Sequence, residues 1–310
     1  MLKETGDLVV LDNGGTHVRI GHIRHGQLHA GLETYSSQLL CVPDARDVLL
    51  SLILQHIRTY ELHVKAAVLG IPGILDRVND RISHCNNIPE LEGAGLRQFL
   101  ADALDCEVLF EQDIMLQLLG EWQAGAGQGC SSLFGVYFGT GIGAACLLNG
   151  NPFDSRVQDI QAGHIPIMAE GRLCKCGNTN CIEAYACGHV LIDLARKADC
   201  PVEELFERQR QNRLDMIIAT ELDKFVIYQA YMLATVSTLF TPRRLVIGGG
   251  VPMMPGYPRD KLLRTVRKHL QKPYPAESIQ FAFASLANDA PLYGALALLR
   301  KSQNHILNRQ

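Results

Sequence analysis

"VLDNGGTHVRIG", residues 10–21, decides the fold. An apolar run ends in Asp12, turns through Gly14 and Gly15, and leaves as a second apolar run. This predicts strands over 8–11 and 18–24 joined by a glycine turn, continued as a meander by 27–35 after Gly26. A second stretch, "LFGVYFGTGIGAACLLNG" (133–150), has the same plan of strand, glycine turn, strand and Asn-Gly turn. Laid beside residues 8–26, it puts Phe138 near the place of Asp12. Two such hairpins, each followed by mixed helix and strand, suggest a duplicated α/β domain.

The rest of the chain fits that plan. Residues 43–60 predict a helix with Leu49, Leu50, Ile53, Leu54 and Ile57 on one face. A continuous apolar strand at 66–71 runs into a Pro-Gly turn. Helix 96–104, strand 107–110 and helix 114–124 follow, then the Gly- and Ser-rich segment 125–132, a loop or hinge. The second half predicts helices near 188–198 and 214–239, strand 244–247, a turn at Gly248–Gly250, helix 259–270, strand 278–284 and helix 290–301.

Composition excludes several function classes. With 29 basic and 32 acidic residues the net charge is −3, which leaves no basic footprint for nucleic acid. No apolar run reaches the ~20 residues of a membrane span, and the start "MLKETGDLVV" lacks a signal-peptide core. A cytoplasmic protein of two domains is the expectation for 310 residues. Of ten cysteines, seven are scattered and read as small buried hydrophobes in a reducing compartment. The other three crowd together at 174, 176 and 181.

That crowd belongs to "GHIPIMAEGRLCKCGNTNCIE", in which His164, Cys174, Cys176 and Cys181 are spaced H-x9-C-x-C-x4-C. Four soft or borderline ligands suit tetrahedral Zn²⁺, and with no open position the site is structural. A metal-free loop with a core histidine is the plainer alternative. Gly177 and Asn178 allow the tight loop. Gln161, three residues before His164, and Glu183, two after Cys181, would be aimed by such a clamp.

Three glycine turns could admit phosphate or nucleoside against bare backbone: Gly14-Gly15-Thr16, Gly139-Thr140-Gly141 and Gly248-Gly249-Gly250. None is a P-loop or a dinucleotide fingerprint, and each also reads as a tight turn. Asp12 beside the first would repel phosphate unless Mg²⁺ mediates; alternatively it caps its own turn. Asp113, where strand 107–110 gives way to a helix, sits at the strand end at which open α/β sheets bind ligands. It can serve as base for a hydroxyl attacking a phosphoryl group, or simply as the helix cap. Asn86 and Asn87 are loop amides that could meet sugar hydroxyls or hold a turn.

In order along the chain, D-x-G-G-T (12–16), Q-D (112–113), F-G-T-G-I-G (138–143), Q-x-G-H (161–164), C-K-C-G-x-x-x-C-x-E (174–183) and I-G-G-G-V (247–251) resemble the ROK family of sugar kinases and repressors. The resemblance implies the actin/hexokinase-like fold, two ribonuclease-H-like domains flanking a cleft. Residues 1–113 with a C-terminal helix in 290–310 would form the small domain, and 114–289 the large one with the zinc loop. It implies transfer of the ATP γ-phosphate to a hexose hydroxyl, usually O6. Asp113 would be the base and Asp12 would stand with Mg²⁺, the two acids facing each other across the interdomain gap. Gly14, Gly15, Thr16, Gly139, Thr140 and Gly141 would face phosphates, and Gly248, Gly249 and Gly250 the nucleoside. Gly73, Asn87, Gln112, Asp113, Gln161, His164 and Glu183 would meet the sugar, His164 also binding zinc. A homodimer is implied by the same likeness.

Three positions depart from the family pattern: Gln112 stands where Asn is usual, Gln161 where Glu is usual, and His17 where Lys is frequent. The first two fall where the ring is expected, so they bear on the substrate more than on the reaction. Thr16-His17, Gln112, "GHIPI" (163–167) and "IGGGVPMMPGYPRDKL" (247–262) resemble the family members that act on D-allose, which is therefore the favoured hexose. Glucose, mannose or N-acetylmannosamine is the alternative. A repressor would need a DNA-binding domain ahead of the first motif, where eleven residues precede Asp12. A sugar-binding protein without catalysis is the third class, kept open by the two glutamines.

Overall fold

Strands β1 (Asp7–Asn13) and β2 (His17–Arg24) pair antiparallel, with Asp12 opposite Arg19 and Asn13 opposite Val18. The structure, a computed structural model, describes residues 6–29, 32–85, 87–153, 160–167 and 171–307, without the side chains of 303–307. Asn86 lies outside them, as do residues 30–31 of the expected third strand and 308–310 of the expected C-terminal segment. Both faces of β1 are covered: Val9 and Leu11 lie in one apolar cluster, Leu8 and Val10 in another. Strand side chains alternate between faces, so a strand covered on both sides reads as a continuous apolar run. β3 (Gln27–Leu28) and β4 (Glu33–Ser36) both pair with β2.

Helix α1 (Ala45–Thr59) buries Leu49, Leu52, Ile53 and His56. Of the expected face, Leu49 and Ile53 are fully buried, Leu50 and Ile57 pack against the same apolar cluster, and Leu54 is partly buried; Leu52 and His56 extend it. β5 (Val64–Ile71) runs parallel to β1. A small sheet of β6 (Ile74–Asp76), β7 (Arg81–His84) and β8 (Gly93–Ala94) follows, unforeseen because such short strands carry no legible period. After α2 (Leu96–Leu104), β9 (Glu107–Gln112) lies parallel to β5 and passes directly into α3 (Asp113–Ala124).

The second hairpin, β10 (Leu133–Phe138) and β11 (Ile142–Leu148), is also antiparallel, with β12 (Asn151–Pro152) beside β11. Then come α4 (Glu183–Ala186), α5 (Gly188–Lys197), α6 (Leu205–Arg210) and α7 (Met216–Phe240). Asp215 caps α7, its carboxylate accepting the Ile217 and Ile218 N–H groups at 2.8 and 3.0 Å. β13 (Arg244–Gly248), α8 (Arg259–His269) and β14 (Gln280–Phe283) complete this part. Its sheet runs β12-β11-β10-β13-β14, and the first runs β3-β2-β1-β5-β9. In both, an antiparallel hairpin is followed by two parallel neighbours. The duplication suggested by the two hairpins is thus present in strand order and sense.

The chain ends in α9 (Ala290–Leu307). Two compact units result: one comprises Met1–Gln128, Phe153–Asp159 and Ser285–Gln310, the other Gly129–Pro152 and Ile160–Ala284. Helix α3 therefore goes with the first unit, whereas the expected division fell at 113/114 and 289/290. The cause is its packing along α9. A Cβ on Gly120 would stand 1.9 Å from the Ala290 carbonyl oxygen, and one on Gly294 1.9 Å from that of Leu116. Reciprocal glycines let the two backbones touch. Among the described residues no helix is long and apolar enough to cross a membrane.

The first unit also buries a histidine pair. His22 is 2% and His56 0% exposed, with His22 Nδ1 and His56 Nε2 3.1 Å apart and Glu33 Oε2 3.2 Å from His56 Nδ1. Burial, then the charge of His56, pushes His22 down from its ordinary 6.5 to about 4. The unfolded chain binds this proton first as pH falls, so the contribution to stability is whole above 6.5 and declines toward about 4. Thermal melts should show Tm falling from about pH 7 to about pH 5, with a shallower fall in His22→Gln. Equal slopes in the two proteins would count against this assignment.

Candidate active site

In the first unit, three parallel strands bring their carboxyl ends to one edge. Asp12 of β1 is in register with Gly70 of β5, Gly70 with Glu111 of β9, and Ile71 with Gln112. Asp12 and Asp113 thus belong to the same edge of the same sheet. The expectation had the two acids facing each other across the interdomain gap; here both lie within the first unit. The strand order explains it: β1 and β9 flank β5, so both strand ends emerge side by side. Gly70 makes this approach possible, since a Cβ there would lie 3.3 Å from Asp113 Cα and 3.5 Å from the Leu11 oxygen.

Asp12 is 4% exposed. Its Oδ2 is 3.2 Å from Arg19 Nη1, a partner not foreseen from sequence. Burial pushes its carboxyl up, against the pull of Arg19. Asp12 Oδ1 and Asn13 Oδ1 are buried with no hydrogen-bond partner among the described residues. Two unpartnered oxygens, one of them a carboxylate's, suit a hard cation such as Mg²⁺ directly or through water. Asn13 Nδ2 is anchored on the Gly70 carbonyl at 2.9 Å, which aims its oxygen.

The turn after Asp12 is exposed at Gly15 and Thr16. Gly14 donates its N–H to the His17 carbonyl at 2.8 Å, so it offers an open approach rather than an amide. The Gly15 and Thr16 carbonyls are held by the Ser37 hydroxyl at 3.3 Å and the Ser37 N–H at 3.1 Å. Asn87 meets this turn, its Nδ2 2.7 Å from where a Gly15 Cβ would be. Gln112 donates from Nε2 to the Gly73 carbonyl at 3.1 Å. Gly73 is required by its neighbour: a Cβ there would be 2.1 Å from the His84 carbonyl oxygen. Asp113 begins α3, and its Oδ1 accepts the Ile114 N–H at 2.8 Å. Cys85, read in sequence only as a small hydrophobe, has its thiol pushed up to about 11 by burial, with the Asp113 charge contributing. Glu111, bridged to Arg77 at 2.6 Å, accepts the Gln112 N–H at 2.9 Å. Gly73, Asn87, Gln112 and Asp113 are thus gathered on one unit, as are Asp12, Gly14, Gly15 and Thr16.

The second unit holds the other set. Gly139-Thr140-Gly141 joins β10 to β11, and Gly248-Gly249-Gly250 leaves the adjacent parallel strand β13. Gly139 donates to the Gly141 carbonyl at 2.9 Å, so its amide also serves its own turn. Gly249, with φ +86°, packs on the Phe138 backbone, where a Cβ would be 2.4 Å from its carbonyl oxygen. Nothing stands within 4 Å of a Cβ at Gly250, which leaves space there. Glu183 Oε2 accepts the Ile142 N–H at 2.8 Å and lies 2.8 Å from a Cβ position on Gly141. Beyond the expected sugar contact, Glu183 therefore holds the glycine turn. Gln161 is exposed and precedes the short helical turn Ala162–His164.

His164 Nδ1 and the Sγ atoms of Cys174, Cys176 and Cys181 all lie within 4.8 Å of one another. Cys174 Sγ is 3.7 Å from His164 Nδ1, and Cys176 Sγ 3.6 Å from Cys181 Sγ. Tetrahedral bonds of ~2.0–2.3 Å to nitrogen and sulfur put ligand atoms at such separations, so the set fits Zn²⁺. Burial pushes the Cys174 thiol up and that of Cys181 to about 12, while the Asn178 backbone pulls Cys176 down. The loop turns through Gly177 at φ +91° and Asn180 at φ +66°; Asn178 instead accepts the Cys174 N–H at 2.8 Å. Its frame was not legible in sequence. The buried Asn180 side chain accepts the Tyr185 hydroxyl at 3.0 Å, which itself accepts the Arg172 N–H at 2.7 Å.

Comparison with known proteins accounts for the pattern. The family model described as "ROK family" matches residues 9–302. The chain is similar to a glucokinase of Halalkalibacterium halodurans, 29% identical over 76% of each chain. It is similar to an N-acetylmannosamine kinase of Haemophilus influenzae, 25% identical over 93% of each. Among solved structures it resembles a ROK hexokinase from Thermus thermophilus, with TM-score 0.79 and 28% identity over 96% of this chain and 99% of that one. The fold is accordingly the actin/hexokinase-like α/β fold, and the chain belongs to the ROK family.

Proposed function

We propose that this chain is an ATP-dependent sugar kinase that transfers the γ-phosphoryl group to O6 of a hexose, with D-allose favoured. The observation that carries the reading is the shared edge of the first unit, where Asp12 near the end of β1 and Asp113 directly after β9 lie either side of β5. One acid is buried with an unpartnered oxygen and the other is half-buried at a helix start. Such a pair divides the work of phosphoryl transfer between metal and base.

Asp113 accepts the O6 proton as the bond from O6 to phosphorus forms and that to the β,γ-bridging oxygen of ATP breaks. Asp12 and Asn13 would hold Mg²⁺, which when bound neutralises charge on the phosphate oxygens. The turns at 14–16 and 139–141 admit phosphates against bare backbone, and that at 248–250 admits the nucleoside. Gly73, Asn87, Gln112, Gln161, His164 and Glu183 meet the sugar and orient O6. His164, Cys174, Cys176 and Cys181 would hold Zn²⁺, which when bound clamps the loop that aims His164 and Glu183. ATP as donor places the reaction in the cytoplasm.

D-allose differs from glucose at carbon 3, and Gln112 sets its amide about one methylene further out than Asn would. Relatives named for glucose and N-acetylmannosamine favour those sugars as the second reading. A panel of D-allose, D-glucose, D-mannose and N-acetylmannosamine with ATP·Mg²⁺, followed by ADP release, decides. D-allose is expected to give the highest kcat/KM. Another hexose in first place overturns the allose assignment alone; no turnover with any overturns the kinase.

A further inference from the structure

Glu121 is a buried carboxylate two turns along α3 from Asp113, and it is 0% exposed. Its Oε1 accepts the N–H groups of Ser285 at 2.8 Å and Leu286 at 2.9 Å. Its Oε2 accepts the Ala126 N–H at 2.7 Å and the Ser285 hydroxyl at 3.1 Å. The Glu121 backbone carbonyl takes the N–H groups of Gly125 at 3.0 Å and Gly127 at 2.8 Å. A Cβ on Gly125 would stand 2.1 Å from Oε2 and would push the carboxylate aside.

One residue therefore gathers donors from two segments that are remote in sequence. Each segment lies beside a point where the chain crosses between units, one at Gln128/Gly129 and one at Ala284/Ser285. A buried charge with this full set of donors is stable, but an apolar side chain would fill the volume with less desolvation. Holding two segments to one helix is something only the carboxylate does.

We infer that Glu121 is a positioning residue for phosphoryl transfer, binding the segments 125–127 and 285–286, which adjoin two of the crossings between units, to the helix whose first residue is Asp113. Its kinetic consequence rests on the proposed role of Asp113; the clamp itself does not. Freed segments would loosen the packing, within the first unit, of the helix that begins at Asp113. A misplacement of about 1 Å at a reacting centre costs about 100-fold in rate.

The test uses the full chain. Glu121→Gln keeps the shape but turns one oxygen into an NH₂ group facing N–H donors. It should lower kcat by about 100-fold, while separately titrated affinities for nucleotide and hexose stay at wild-type values. Gly125→Ala, which displaces the carboxylate without removing its charge, should do the same. In hydrogen exchange, the amides of Ala126, Ser285 and Leu286 should be slow in the wild type and faster in either variant, with β1 and β5 unchanged. Normal kcat in either folded variant overturns the inference. So does a fall in kcat matched by lost ligand affinity, or fast wild-type exchange at those three amides. Should the wild type phosphorylate no hexose, the functional reading fails, and the exchange result still decides the clamp.

Discussion

Asp113→Asn is expected to lower kcat by about 10²- to 10⁴-fold, the usual contribution of a general base, while hexose binding persists. The substitution isolates the proton acceptor. Asn Oδ1 can still take the Ile114 N–H that Asp113 Oδ1 accepts at 2.8 Å, and Asn serves a helix start as well as Asp does. Thermal stability should therefore stay close to wild type. The N-cap position itself is Gln112, extended at φ −61° and ψ 140°, and Asp113 is the first helical residue. Capping alone is thus a weaker account of this carboxylate than the sequence allowed. A coupled assay for ADP gives kcat, and calorimetric titration gives hexose affinity. Near-normal turnover in the variant would remove Asp113 from the chemistry.

Cys181→Ser is the second substitution with a large expected effect. Cys181 is 1% exposed and forms a β-bridge with Pro166, two residues from His164. Elemental analysis should find about one zinc ion per wild-type chain and a sub-stoichiometric amount in the variant. Hexose kcat/KM should fall by about 10- to 100-fold, the scale seen when groups that orient a metal site are lost, and Tm should fall with it. The loss should reach the glycine turn as well. Glu183 follows Cys181 by two residues and accepts the Ile142 N–H, and a Cβ on Gly163 would lie 2.9 Å from the Ile142 oxygen. A wild-type protein that carries no zinc after purification without chelators, yet turns over normally, would overturn the metal assignment.

Much of the architecture was open to reading because its signals are local. A continuous apolar run such as β5 marks a strand covered on both faces, and glycine between strands marks a hairpin. The same holds for the Cys/His set of His164, Cys174, Cys176 and Cys181, whose spacing within one short segment already limits how far apart they can fold. The face of α1 was legible in Leu49, Leu50, Ile53 and Ile57, whereas His56, which the same face buries, gives no hint of burial in the sequence. That α3 groups with α9 in one compact unit was not legible, because their close approach depends on Gly120 and Gly294, far apart along the chain.

By itself, then, the amino-acid order determined the two repeated hairpins, the glycine turns, the Cys/His set and the family resemblance, all carried by neighbours within a few tens of residues. Tertiary structure alone decided that Asp12 and Asp113 share one sheet edge, that Arg19 pairs with Asp12, that Glu183 holds the turn before β11, and that Glu121 binds two distant segments. These depend on parallel strand order and on buried hydrogen bonds between remote segments, and no local periodicity encodes either.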